Sequence, residues 1–313
     1  MVKVAIIRGN AYNATLRALE LTKFRKIIKG RKKIIIKPNL VLPIHSTKGI
    51  TTDVNVVRAI LDFLPSSKKV IIADGSSEVE KTFKLNEYAK LAKEYGVQLM
   101  NLEKDEKIKV RINRPIVFRE IDIAKTVLRS DFVISVAKLK IHSLTGITGS
   151  LKNMMGVCPK VQRLKLHAFL PYSLLDLFSI ILPDFGIIDG IIGNEIDENI
   201  PHPVKVGVIL ASKDCVALDI VASEIMGIDV EKVFHVCSMY RKRSWDKKNR
   251  QIEIVGEDIK DVKKIFKRKN FNLRSYTQKM IAHVLINLGI FDPLYSSIEK
   301  NLLVRKLLKS MFF

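Results

Sequence analysis

Short β-branched apolar runs, alternating with segments of helical periodicity, constrain the fold of this chain more than any other feature. The runs fall at residues 2–7, 33–37, 70–73, 97–102, 132–136, 186–189 and 206–211. They are nearly continuous in apolar character, the pattern of strands buried on both faces. Helices are expected between several of them. Residues 14–29 set Leu16, Leu19, Phe24, Ile27 and Ile28 on one face and stop at Gly30. Residues 53–64 follow Thr51 and Thr52, a natural N-cap pair, and residues 83–95 stop at Gly96. Residues 215–226 follow Asp214, a candidate N-cap, and stop at Gly227. The expected fold is α/β: a mainly parallel sheet with helices on both faces, plus a basic, mostly helical C-terminal extension.

The character of the chain changes after about residue 240, so we expect a core over residues 1–240 and an extension over 241–313. The extension opens with the basic run RKRSWDKKNR, which holds the only tryptophan, Trp245. A strand-like QIEIVG, a charged helix, an amphipathic helix over residues 273–291 and the tail IEKNLLVRKLLKSMFF follow. The whole chain carries 54 Lys and Arg against 32 Asp and Glu, a formal net charge of +22. That excess favours an anionic partner: an anionic small molecule first, nucleic acid or an anionic membrane surface second. It also matches the Ile- and Lys-rich background of many thermophile chains. The C-terminal helices offer a face for a homodimer. No apolar window reaches the ~18 residues of a membrane span. The longest candidate, residues 172–192, is interrupted by Asp176, Pro183, Asp184 and Gly186 and reads as a buried helix followed by a buried strand. Three cysteines, Cys158, Cys215 and Cys237, match no metal or redox spacing and suit a reducing compartment; the expected location is the cytoplasm.

Polar residues are concentrated where the expected strands end, and ligands of open α/β sheets sit beyond the carboxyl ends of strands. Lys37, Pro38 and Asn39 follow the second run, and Asp74 to Ser77 the third. Lys138, Lys140 and His142 follow the fifth in what reads as a loop, with Lys152 and Asn153 after a Thr/Gly/Ser turn. Asp189 and Gly190 end the sixth, and Ser212 to Asp214 follow the seventh. Clustered lysines repel one another and therefore face solvent or an anion. Lys37, Asn39, Lys138, Lys140, Lys152 and Asn153 are the expected binding set for a phosphate or carboxylate. His142, with His167 across the site, is the candidate for proton transfer near neutral pH. Asp189, Glu195 and Asp214 are candidates for a divalent cation that would bridge to the anion. His45, His202, His235 and His283 show no pattern and receive no role.

No GxGxxG, Walker, HExxH or GxSxG motif is present, so the usual dinucleotide, nucleoside-triphosphate, zinc-protease and serine-hydrolase signatures are missing. Gly146 to Gly149 matches the four-residue glycine signature of KH nucleic-acid domains, but its flanking elements do not suit that fold.

Four segments carry a resemblance over roughly residues 30 to 230: KPNLV with the downstream GITTD, DFVISVAKLKIHSLTGITGSLKNMMG, IIDGIIGNE, and ILASKDCVALDIVASEIMG. In these the chain resembles the archaeal and bacterial "domain of unknown function 362" family. The resemblance implies an enzyme or ligand-binding protein without naming a reaction. Some members carry an appended ferredoxin-like module with clustered cysteines. This chain has no such clusters, and no iron–sulfur cluster is expected. The family's Gly-rich stretch after the aspartate-glycine strand is replaced here by IDENIPHPV.

Overall fold

A computed structural model describes residues 1–243 and 252–268. In chain order the strands are β1 (Val2–Arg8), β2 (Lys33–Pro38), β3 (Lys69–Asp74), β4 (Gln98–Asn101), β5 (Lys107–Arg111), β6 (Glu120–Ala124), β7 (Phe132–His142), β8 (Gly146–Ile147), β9 (Phe185–Asn194), β10 (Pro203–Ser212) and β11 (Ile252–Gly256). The main sheet runs β11-β1-β10-β9-β7-β2-β3-β4, with β8 hooked onto the end of β7. From β9 to β4 every pairing is parallel. Strand β10 is antiparallel to both of its neighbours. Strands β5 and β6 form a separate antiparallel pair that periodicity alone did not mark.

Two cores, one on each face, explain the continuous apolar runs. Ile34 and Ile36 of β2 enter one core with Phe132 and Ile134 of β7 and the apolar faces of helices Ala11–Leu21 and Val54–Phe63. Ile35 and Val133, one position out of phase, enter the other with helices Tyr172–Ile180 and Cys215–Ile225. Alternation along a strand sends successive side chains to opposite faces, so only a doubly covered sheet needs apolar residues at both phases. The expected α/β class and the helix-then-strand reading of residues 172–192 hold. Among the described residues no helix is long and apolar enough to cross a membrane.

Local chemistry moves several boundaries. Helix Val54–Phe63 is capped by Asp53, whose side chain accepts from the Asn55 N–H, not by the threonines. The Thr52 hydroxyl is occupied elsewhere: it donates to the Val136 carbonyl and accepts from the Asn39 N–H. The single helix expected over residues 83–95 is two, Val79–Leu85 and Tyr88–Tyr95, broken at Glu87 with φ 60°. The helix expected over residues 14–29 spans Ala11–Leu21, with a short turn Phe24–Ile27 after Lys23 at φ 55°.

Part of the expected extension joins the core. Strand β11 pairs in parallel with β1 at the sheet edge, and Phe266 is buried in the second core. The remainder of the basic run, the amphipathic helix at 273–291 and the tail lie outside the described residues.

Candidate functional site

Strand β7 is the centre of the site and the largest departure from expectation. Lys138, Lys140 and His142 are not in a loop. They belong to an eleven-residue strand that is buried from end to end. They alternate with Ala137, Leu139 and Ile141, which pack into a core. A lysine normally ends a buried strand because stripping water from an ammonium is costly. Here the strand continues because part of that charge is neutralised inside the fold.

Two of the expected anion-binding lysines are paired. Lys138 Nζ lies 2.8 Å from Asp189 Oδ2, its neighbour in register on β9, and both side chains are buried. Asp189 also accepts from the Asp53 and Ile191 N–H groups. Lys37 Nζ lies 2.7 Å from Asp74 Oδ1, and Asp74 Oδ2 accepts from the Leu40 N–H. Asn153 is saturated: its carbonyl accepts from Lys37 Nζ and Asn39 Nδ2, and its amide donates to the Lys37 carbonyl and the Ser135 hydroxyl. Lys37, Lys138 and Asn153 therefore tie β2, β3, β7 and β9 together. A Cβ at Gly156 would stand 2.6 Å from Asp74 Oδ1 and 2.7 Å from Lys37 Nζ, so that turn approaches the pair only as glycine.

Lys140 and Lys152 are different. Lys140 Nζ reaches, among the described residues, only the Glu198 carbonyl, at 3.4 Å. Among the described residues Lys152 has no hydrogen bond or ion pair, although it is only 8% exposed. Burial pulls the Lys140 ammonium down to about 7, with repulsion from Lys152 adding to it. Burial likewise pulls Lys152 down to about 8.

Lys152 owes its place to a distant carboxylate. Asp219, on helix Cys215–Ile225, accepts from the Ser150 and Leu151 N–H groups and the Ser150 hydroxyl. Burial pushes Asp219 up to about 7, against those three donors. Gly149, at φ +59°, would place a Cβ 2.4 Å from Asp219 Oδ2.

Around the free lysines stand three imidazoles. The rings of His142 and His167 lie 6.3 Å apart between centroids, so the structure brings the expected pair together. Their neighbours fix opposite tautomers. The Leu144 N–H donates to His142 Nδ1 at 3.2 Å, so that nitrogen carries the lone pair and neutral His142 is protonated on Nε2. His167 Nδ1 lies 2.8 Å from the Arg163 carbonyl, an obligate acceptor, so His167 is protonated on Nδ1 and keeps its lone pair on Nε2. Burial, reinforced by Lys152, lowers His142 well below the ordinary histidine value and His167 to about 3. Both are neutral at pH 7: one offers a proton and the other a base.

Two participants were missed in the sequence. Glu198 accepts from the Ser143 N–H and hydroxyl and stands 3.8 Å from His142 Nε2. It lies in the IDENIPHPV segment, the one place where the chain departs from the family pattern, and that departure was the available signal. His235 is fully buried, and among the described residues neither ring nitrogen has a hydrogen-bond partner. No local motif marks it.

The three expected cation ligands do not assemble. Asp189 is the counter-ion of Lys138. Glu195 accepts from the Lys267 N–H. Asp214 caps helix Cys215–Ile225 through the Val216 and Ala217 N–H groups. The cause is topological. Because β10 runs antiparallel, its end at Ser212 pairs with Gly186, near the start of β9, while Glu195 follows the far end of β9. Among the described residues no group of three or more His, Cys, Asp or Glu side chains is placed to hold a metal ion.

The fold and this cluster define an α/β protein with buried basic groups at the carboxyl ends of parallel strands. The family described as "Domain of unknown function (DUF362)" matches residues 34–224, and the chain belongs to it. Among curated proteins it is similar to the thylakoid-associated protein sll1697 of Synechocystis sp., 25% identical over 250 residues, covering 73% of this chain and 76% of the relative. Among solved structures it is similar to the lactate racemase apoprotein from Thermoanaerobacterium thermosaccharolyticum, with a TM-score of 0.49 and 14% identity, covering 73% of this chain. The chain spans 57% of that structure's length, and a likeness this loose carries nothing about the site.

Proposed function

We propose that Lys140 and Lys152 bind the phosphate or carboxylate of a small molecule, and that His142 and His167 move a proton on it as general acid and general base. The observation that carries this reading is the pair of buried ammonium groups that, among the described residues, have no carboxylate at ion-pair distance; the Glu198 carboxylate attracts both without pairing with either, and desolvation still pulls both below the ordinary lysine value. An unpaired buried charge is costly, and an anion placed between these two removes that cost. Asn39 belongs to the binding set through its Oδ1, a buried acceptor without a partner. Lys37, Lys138 and Asn153 act as scaffold. A bound anion would raise both imidazoles by its own charge, toward the range in which a histidine takes up and gives back a proton, and the oppositely fixed tautomers leave one N–H and one lone pair facing it. A cytoplasmic location goes with this reading and is supported by Cys158, Cys215 and Cys237 being thiols outside any disulfide.

The test is thermal stability of the purified protein in inorganic phosphate and in propionate, at constant ionic strength. The wild type is expected to gain stability with one or both anions, and Lys140→Met and Lys152→Met to lose that gain while remaining folded. An equal gain in all three proteins would sink the reading.

A second reading, attachment to an anionic membrane surface through the basic C-terminal region, is supported by the net charge of +22 and by the thylakoid association in the relative's name. Co-sedimentation with vesicles containing phosphatidylglycerol tests it. Absence of binding at low salt removes it.

A further inference from the structure

His235 opens helix Phe234–Arg243, whose start packs on the hairpin that carries His142. A Cβ at Gly146 would stand 3.2 Å from Val233 Cγ2, and Gly146 is the register partner of His142. Phe178 flanks the His235 ring at 6.3 Å between centroids. Burial and the Lys152 ammonium lower His235 to about 3, so the ring is neutral, with one N–H to give and one lone pair to fill. Neither need is met. A buried polar atom left in this state destabilises the fold until something answers it.

Other neutral groups at the same strand ends share the deficit. The Thr148 hydroxyl is buried without a partner, and its own N–H is bonded to the Lys140 carbonyl. Asn39 Oδ1 is a third case. An ionised carboxylate or phosphate oxygen answers an N–H but cannot answer a lone pair. A hydroxyl does both.

We infer that His235 is a specificity-determining residue of this site and that the ligand is an anion bearing at least one hydroxyl, a hydroxy acid or a phosphorylated polyol, whose hydroxyl His235 engages. This rests on the anion reading above and deepens it.

The experiment measures affinity by calorimetry for two matched probe pairs: glycerate against propionate, and glycerol 3-phosphate against propyl phosphate. In the wild type the hydroxylated member of at least one pair binds about tenfold tighter or more, the scale of one net hydrogen bond. His235→Phe keeps the ring and removes both polar atoms. It is expected to bring that pair within about twofold while still binding the deoxy probe. His235→Gln, which can both donate and accept, retains part of the preference. Should the Phe variant fail to fold, 15N spectra of histidine-labelled wild type carry the test, because the His235 ring nitrogens shift with the hydroxylated probe and not with its deoxy partner. A wild type that binds both members of each pair equally overturns the hydroxyl inference and leaves the anion reading standing. So does a Phe variant with the wild-type preference. Absence of binding by all four probes overturns both.

Discussion

Four lysines sit within reach of one another at the ends of β2 and β7, and they divide into two kinds. Lys37 and Lys138 have carboxylate partners at 2.7 and 2.8 Å, further braced by backbone N–H groups. Among the described residues Lys140 and Lys152 have none at ion-pair distance. All four are buried. The difference teaches that burial by itself does not mark a functional cation. A buried lysine with a braced aspartate is a strut; one without a carboxylate is a vacancy for charge, and the two kinds respond to perturbation with opposite sign.

The largest effect is expected from breaking a strut. Asp189→Ala strands Lys138 in the sheet, and chemical denaturation should show a loss of about 3–5 kcal/mol. Asp74→Ala should behave alike through Lys37. Stability unchanged in both would erase the distinction. Next, Lys152→Met replaces an unpaired buried ammonium by an apolar chain of similar size, and the anion-free protein should gain about 1–3 kcal/mol in the same measurement. A loss of that size would mean the lysine has a partner in solution.

The pH dependence sharpens the contrast further. Lys140 at about 7 and Lys152 at about 8 lie below the ordinary lysine value of 10.5. Between about pH 7 and pH 10 the unfolded chain therefore binds protons that the folded protein has released, and stability rises with pH. The window closes above that range, where the buried Cys158 thiol, pushed up to about 12, and Tyr88, raised by burial, pull the other way. Melting curves across the window should show the rise in anion-free protein and a flatter curve in phosphate. The smallest effect on stability belongs to His167→Gln, which loses little packing. Its expected signature is retained binding of the anion probes with loss of turnover once a substrate is found, and weakened probe binding would instead make His167 part of the binding set.

The sequence was most legible where physics is local. Alternating apolar runs and helix-stop glycines revealed the parallel half of the sheet, and the crowding of Lys138, Lys140 and His142 pointed to the right strand. Pairing was not legible. Nothing near Lys138 announces Asp189, fifty-one residues away, so a strut and a ligand-binding lysine read alike. The misplacement of Asp214 followed from taking β10 as parallel. Only residues 195–202 separate β9 from β10, too few for a crossover that needs a dozen or more, but the apolar runs at 186–189 and 206–211 left sixteen residues between them and hid the reversal. His235 lay beyond reach because its significance is a missing partner, which only packing reveals.

Asp219 has one more consequence. The turn that presents Lys152 hangs from a carboxylate 69 residues downstream. A fragment ending before that helix would keep the strands from β9 to β4 and both struts, yet would let go of the lysine. On the proposed reading the anion site is thus completed late in synthesis, when the helix docks, after the parallel strands are already made.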